Sequence, residues 1–316
     1  MASRVEKNQK KRKFRWLYWV GGILLILLIS ALGYGFYLYQ EVNETAEEIH
    51  EPLERDQANP ERKEQIENTL EYEKTLNILL LGVDERADDS GRSDTMIVLS
   101  ANPQTDSMLM LSIPRDTYTN IPGVGMDKIN HAYAFGGTDL ALETVENTFD
   151  IPIHFYAKVN MEGFEDGIDA INGVTVTNDF AFKQDGETFP EGELQLNGEE
   201  ALKYVRMRKE DPQGDLGRNE RQRQVIEAAM DKAANFSNIS KIGNILEIIG
   251  DNVRTDMKMS NIRTIYSGYQ DTRKDIETLE IEGTGQTLED GIWYYMVPDE
   301  EFNRLQTKFK EHMDAS

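Results

Sequence analysis

Cysteine does not occur among the 316 residues, and histidine occurs only as His50, His131, His154 and His312. The first absence excludes disulfide staples, thiol nucleophiles and Cys-ligated zinc. The scatter of the histidines speaks against a serine or cysteine triad, which needs an imidazole beside its nucleophile. Basic charge is also scarce: 34 Lys and Arg stand against 57 Asp and Glu, a net charge of −23. Seven of those cations lie in the first fifteen residues, MASRVEKNQKKRKFR, with Glu6 as the one acid, a net of +6 that leaves −29 on the remainder. A body that acidic is repelled by nucleic acid, whose binding depends on neutralising phosphates with Lys and Arg. No nucleic-acid partner is expected, and neither an internal repeat nor a low-complexity tract is present.

Charge is missing altogether from WLYWVGGILLILLISALGYGFYLY, residues 16–39. At about 1.5 Å per residue this stretch spans roughly 36 Å as a helix, enough for a hydrocarbon core of ~30 Å. It is expected to be a transmembrane signal-anchor, with Trp16, Tyr18 and Trp19 at one interface and Tyr34, Phe36, Tyr37 and Tyr39 at the other. A cleaved signal peptide would need a shorter apolar core and an Ala-x-Ala-like site, which LGYGFYLYQEV supplies poorly. The basic arm, 1–15, is then a cytoplasmic tail, and the rest of this single-pass type II membrane protein is extracytoplasmic. Residues 40–75 are charged, poor in large apolar side chains and interrupted by Pro52 and Pro60, and are expected to form a helical or partly disordered stalk.

The globular domain is expected over 76–316. LNILLLGVD is a nearly continuous apolar run suited to a central strand, and TMIVLSA (95–101) and SMLMLSI (107–113) give two more around the turn NPQTD. A helical pattern at 139–149 precedes a strand-like IHFYAKV, and a second helix, MEGFEDGIDAI, leads into GVTVTN. In NGEEALKYV, Asn197 is placed to cap a helix with Glu200 at the capping-box position, ahead of the long helix LGRNERQRQVIEAAMDKAAN. Helices around 239–249 and 259–270, the apolar segments IETLEIEG and GIWYYMVP, and a last helix at 299–313 complete the chain. Strands alternating with helices predict an α/β fold, a central sheet covered on both faces.

Polar residues gather at the ends of these strands. Asp84 follows the first, Arg92 and Asp94 stand before the second, and Arg115 and Asp116 leave the third in SIPRDT. Strand ends are where ligands bind in covered α/β sheets, although separate loop-tip salt bridges would place such residues there too. LKYVRMRK adds Arg206 and Arg208, which share a face if that segment is extended and favour a helix C-terminus if it is not. Asp215, Arg218 and Gln222 fall on one helical stripe, as an amphipathic surface face would also place them. Together, two or three carboxylates and four or more arginines in an acidic body point to Mg²⁺ and a diphosphate. Mg²⁺ takes one or two protein carboxylates plus phosphate oxygens, and Arg forks pair bidentately with phosphate.

Five stretches, NILLLGVDERADDSGRSDTMIVLS, MLMLSIPRDTY, DKINHAYAFGG, LNGEEALKYVRMRK and GDLGRNERQRQVIEA, resemble in order the signature blocks of the LytR-CpsA-Psr family of Gram-positive bacteria. They cover about 76–235; 236–316 carries no comparable signature. The resemblance implies a mixed central sheet and a membrane-anchored phosphotransferase. Such an enzyme moves a glycopolymer, wall teichoic acid or capsule-like, from undecaprenyl diphosphate to peptidoglycan. It further implies Asp84 and Asp94 as Mg²⁺ ligands, and Arg92, Arg115, Lys128, Arg206, Arg208, Arg218 and Gln222 as diphosphate contacts. Asp215 would orient arginines, with Arg115, Asp215 and Arg218 at the chemistry. An apolar tunnel for the isoprenoid is implied as well; Met108, Met110, Ile153, Val225 and Ile226 are candidates to line it, core packing being the other reading. The alternatives are a non-catalytic lipid-diphosphate or wall-binding protein, a regulatory attenuator, and the same enzyme with another acceptor. A DNA-binding regulator is disfavoured by a cytoplasmic tail too short for such a module.

Overall fold

In the computed structural model the described residues are 33, 35–37, 39–84, 91–234 and 242–315. They divide into two units, Met1–Thr45 and Ala46–Ser316. What is described of the first unit is helical. Most of the expected membrane span and the whole basic tail lie outside the described residues, among which no helix is long and apolar enough to cross a membrane.

The apolar runs form one six-stranded sheet. Its order is Val253–Thr255, Phe155–Asn160, Leu76–Val83, Ser93–Asn102, Ser107–Ser112, Ile276–Leu279. Leu76–Val83 pairs parallel with Phe155–Asn160, and Ser107–Ser112 parallel with Ile276–Leu279; the other pairings are antiparallel, so the sheet is mixed. Alternation along the central strands sorts side chains to two covered faces. Leu79, Leu81, Val98 and Leu111 meet Leu142, Val145 and Phe149 of helix His131–Phe149 and Leu305 and Phe309 of helix Asp299–Asp314. On the other face Ile97, Leu99, Met108 and Met110 meet Ile66 and Leu70 of helix Pro60–Glu71, with Ile226, Met230 and Ile265 against them. A smaller lobe packs helices Met161–Ala170 and Gly198–Arg206 around the hairpin Val174–Asn178 with Gly192–Leu196.

Several expectations shift. The segment expected to be a stalk instead belongs largely to the second unit: Leu53 is buried in the first core, and Ile66 and Leu70 in the second. The helix expected over 139–149 extends back to His131 across a break at Gly136 and Gly137, where Gly137 takes φ 62°, a conformation open to glycine without strain. The hairpins Tyr118–Ile121 with Gly125–Lys128 and Phe182–Gln184 with Glu187–Phe189 were not expected. Of the tunnel candidates, Met108, Met110, Ile153 and Val225 are core residues, and Ile226 lines the cavity described below.

Candidate active site

The register of the sheet brings the expected carboxylates together. Gly82 pairs with Thr95 but Val83 pairs with Ser93, so Asp94 is the extra residue of a β-bulge. Bulges re-aim a side chain at the cost of one pairing. Here the bulge sits beside Asp84, which leaves the neighbouring strand, and Asp84 N–H donates to the Arg92 carbonyl at 3.3 Å. Gly82 permits the close approach, because a Cβ there would meet Thr95 Cβ at 2.9 Å.

Both aspartates line a cavity of about 600 Å³. Arg115, Arg206, Arg218 and Gln222 join them, while Leu80, Phe164, Leu202, Val205, Ile226 and Val253 supply apolar lining. Arg115 is fixed by two acids: its Nη1 donates to Asp94 Oδ1 at 2.7 Å and its Nε lies 3.6 Å from Asp116 Oδ2. Asp116 also accepts from Lys128 Nζ at 2.6 Å, and that ammonium lies 5.7 Å from the Tyr294 ring centroid. Lys128 is thus one ion pair removed from the cavity, and exposed Arg92 does not line it either. Asp215 opens the helix that carries Arg218 and Gln222, and its side chain lies outside what is described, as do residues 85–90 after Asp84.

Helix Gly198–Arg206 begins with the expected capping box between Asn197 and Glu200. Gly198 lets it approach helix Met161–Ala170, since a Cβ would fall 2.1 Å from the Glu165 carbonyl oxygen. The helix ends at Arg206 and the chain turns extended at Met207 (φ −62°, ψ 132°), so Arg206 faces the main cavity while Arg206 and Arg208 both border a neighbouring basic groove.

Arg221, which the sequence did not single out, holds this turn. Its Nη1 donates to Asp211 Oδ2 at 2.6 Å, its Nε to the Tyr204 carbonyl at 3.2 Å, and its Nη2 to the Met207 carbonyl. The guanidinium carbon lies 5.5 Å from the Phe182 centroid, a cation–π distance. Burial pushes the Tyr204 phenol up to about 12, and it stays a donor to Gln224 Oε1 at 3.1 Å. Gly217 leaves room for the Asp211 carboxylate, which a Cβ would approach to 1.9 Å.

Among the described residues no group of three or more His, Cys, Asp or Glu side chains converges on one point. A pair of carboxylates on a cavity rimmed by arginines nonetheless suits Mg²⁺, which fills its shell with phosphate oxygens and water rather than with a protein cage.

A mixed α/β sheet with guanidinium and carboxylate groups converging at its strand ends, above an apolar interior, defines a protein for an anionic amphiphile. The LytR_cpsA_psr family model matches residues 36–311, and the chain belongs to that family. It is 54% identical to the polyisoprenyl-teichoic acid--peptidoglycan teichoic acid transferase TagU of Oceanobacillus iheyensis, over 99% of each chain. The crystal structure of TagU from B. subtilis is 43% identical, with a TM-score of 0.63 over 77% of this chain and 98% of that one. A structure of TagT bound to LIIa-WTA is 31% identical, with a TM-score of 0.65 over 76% of this chain and 91% of that one.

Proposed function

We propose that this protein transfers a wall teichoic acid from a polyisoprenyl-diphosphate carrier to a hydroxyl of peptidoglycan. The observation that carries this reading is the composition of the main cavity: three arginines, Lys158 and two carboxylates beside a wall of leucine, valine, isoleucine and phenylalanine. A diphosphate joined to a hydrocarbon tail matches both parts, and the names of the relatives give the same donor and acceptor.

In this reaction the acceptor oxygen bonds to the phosphorus that carries the glycopolymer, and the bond from that phosphorus to the bridging oxygen breaks. Polyprenyl phosphate leaves, and the acceptor hydroxyl gives up its proton. Arg115, Arg206 and Arg218 grip the diphosphate with fixed forks, and Gln222, one turn after Arg218, adds an amide donor. Asp84 and Asp94 are the residues that would hold Mg²⁺, which when bound offsets charge on the phosphate oxygens. Asp116 keeps Arg115 in place and takes up Lys128, so those two expected contacts act at different ranges. We assign residues 1–15 to the cytoplasm and 16–39 to the membrane, which leaves the site on the outer, wall-facing side.

The test is incubation of the purified full chain with a lipid-diphosphate-linked saccharide and peptidoglycan oligomers, with mass analysis of both products. A phosphodiester-linked saccharide on peptidoglycan together with free polyprenyl phosphate is expected. Donor that binds but is never consumed would leave a carrier-binding protein in place of an enzyme.

A further inference from the structure

A second cleft, of about 460 Å³, lies beside Pro114 and Asp116 and has a different chemistry. Part of its lining is Trp293 and Tyr295 on the hairpin Thr284–Thr287 with Trp293–Met296; another part is the 211–216 turn. In that hairpin Gly285 pairs with Tyr295 and Thr287 with Trp293, so Trp293 is the diagonal neighbour of Gly285. A Cβ at Gly285 would lie 2.6, 2.7 and 2.8 Å from indole Cζ2, Nε1 and Cε2. Three joined atoms along one side of the indole at such short range mean that its Nε1–Cε2–Cζ2 edge is seated against the glycine. Trp293 is nevertheless 43% exposed, so much of the ring remains open to the cleft. A flat ring seated along one edge and exposed over much of its surface is a platform for the C–H face of a pyranose.

Charge separates this cleft from the other route away from the arginines. The neighbouring basic groove is lined by six cations, Arg115, Lys183, Arg206, Arg208, Lys209 and Arg218, against Asp185 and Glu210. It shares Arg115, Arg206 and Arg218 with the main cavity and Arg208 with the Trp293 cleft, so the three spaces are contiguous. The Trp293 cleft has Arg208 alone against Asp116 and Asp211. A polyanionic donor chain suits the first, an uncharged sugar rich in hydroxyl and amide groups the second.

We propose that the Trp293 cleft is the acceptor subsite, binding an uncharged N-acetylated pyranose of the glycan strand and presenting its hydroxyl towards the phosphorus held by Arg115. The inference rests on the transferase reading above, but its binding arm does not need turnover. Binding of a soluble N-acetylglucosamine oligomer to the full chain is measured by calorimetry without donor, and the KM values for donor and for peptidoglycan oligomers are measured separately. Trp293→Ala should weaken oligomer binding and raise the acceptor KM by about tenfold each, the loss of one stacking contact, with the donor KM within about twofold. Trp293→Phe should recover most of both. Gln213→Trp, which fills the cleft from an exposed position while leaving Trp293 intact, should reproduce the loss and guards against a folding defect in the alanine variant. Unchanged oligomer binding in Trp293→Ala and Gln213→Trp, or a KM rise confined to the donor, overturns the assignment. A chain that binds the oligomer through Trp293 yet never forms product would instead sink the transferase reading alone.

Discussion

Replacing Arg221 by methionine removes a guanidinium whose side chain is 5% exposed and whose partner Asp211 is 2% exposed. Asp211 keeps the Gln213 N–H at 2.6 Å but loses its counter-charge, the Met207 carbonyl loses the guanidinium donor, and the Tyr204 carbonyl keeps only the Met207 N–H at 3.4 Å. Breaking a buried ion pair from one side costs about 3–5 kcal/mol, a range that already contains much of the lost hydrogen bonding. We therefore expect Arg221→Met to lose about 4 kcal/mol in urea unfolding of the purified chain, with Asp211→Ala close behind. The double variant buries no lone charge, so its loss should fall short of the sum of the singles by about 2 kcal/mol or more. The functional effect follows from position: Arg206 lies between the two carbonyls that Arg221 holds, and Arg208 comes directly after. Misplacing such groups by about 1 Å costs on the order of 10²-fold in rate, so transfer should fall that far while the apolar lining still binds donor. A loss below about 1 kcal/mol for Arg221→Met, or simple additivity in the double variant, would refute the role given to this pair.

Asp84→Asn and Asp94→Asn should each abolish Mg²⁺-dependent transfer while circular dichroism shows an intact fold; wild-type rates without added Mg²⁺ in both variants would remove the metal assignment. Lysine in place of Arg115, Arg206 or Arg218 keeps the charge but not the fork, and transfer should drop by about 10²-fold, on the order of ~3 kcal/mol, with a smaller drop in donor affinity; equal losses in both would point to binding alone. Stability should respond to pH through two buried groups of opposite sign. Burial raises the Asp256 carboxyl from 3.8 to about 7, so its contribution is full below the unfolded value and is lost as pH rises towards 7. Burial, followed by the Arg62 charge, lowers the His154 imidazole from 6.5 to about 4, so its contribution is lost as pH falls through that window. The slopes oppose one another between about pH 4 and 6.5, each worth on the order of 3 kcal/mol. Asp256→Asn should leave stability rising with pH there and His154→Gln should leave it falling; identical urea midpoints against pH in all three proteins would contradict both shifts.

The strands that build the site were legible because they are buried on both faces, and LNILLLGV and TMIVLS are apolar almost without interruption. Their polar ends were legible for the same reason, since charge directly after such a run has only the sheet rim to occupy. Short elements were not. Phe182–Gln184 and Glu187–Phe189 are three residues each, too brief for a period, although the Asp185-Gly186 dipeptide between them takes positive φ at both positions as a tight hairpin turn requires. The helix Pro60–Glu71 reads as a solvated stalk because it buries little beyond Ile66, Thr69 and Leu70. Arg218 and Gln222, four apart, both reach the cavity as their spacing suggested, while Arg221 points elsewhere and finds a carboxylate ten residues upstream. Spacing along one helix does not reveal such a partner. Lys128 and Arg92 show the complementary limit, for their charge was legible but Asp116 and the exposed strand entry decide where it goes.

The arrangement around Arg115 ties the proposed cation to the proposed ligand. Three guanidiniums on one cavity repel each other, and Asp94 and Asp116 offset that cost by holding Arg115 from two directions. A diphosphate entering the cavity competes with Asp94 for the same fork and brings its own charge close to both Asp94 and Asp84. Without a counter-charge, ligand binding would therefore trade one ion pair for another and leave two carboxylates facing phosphate. Asp84 and Asp94 are the residues that would hold Mg²⁺, whose charge would offset that conflict and leave the Arg115 fork to the ligand. Each partner would thereby lower the cost of admitting the other. Because linkage is reciprocal, any factor by which Mg²⁺ raises affinity for the lipid diphosphate must equal the factor by which the lipid diphosphate raises affinity for Mg²⁺.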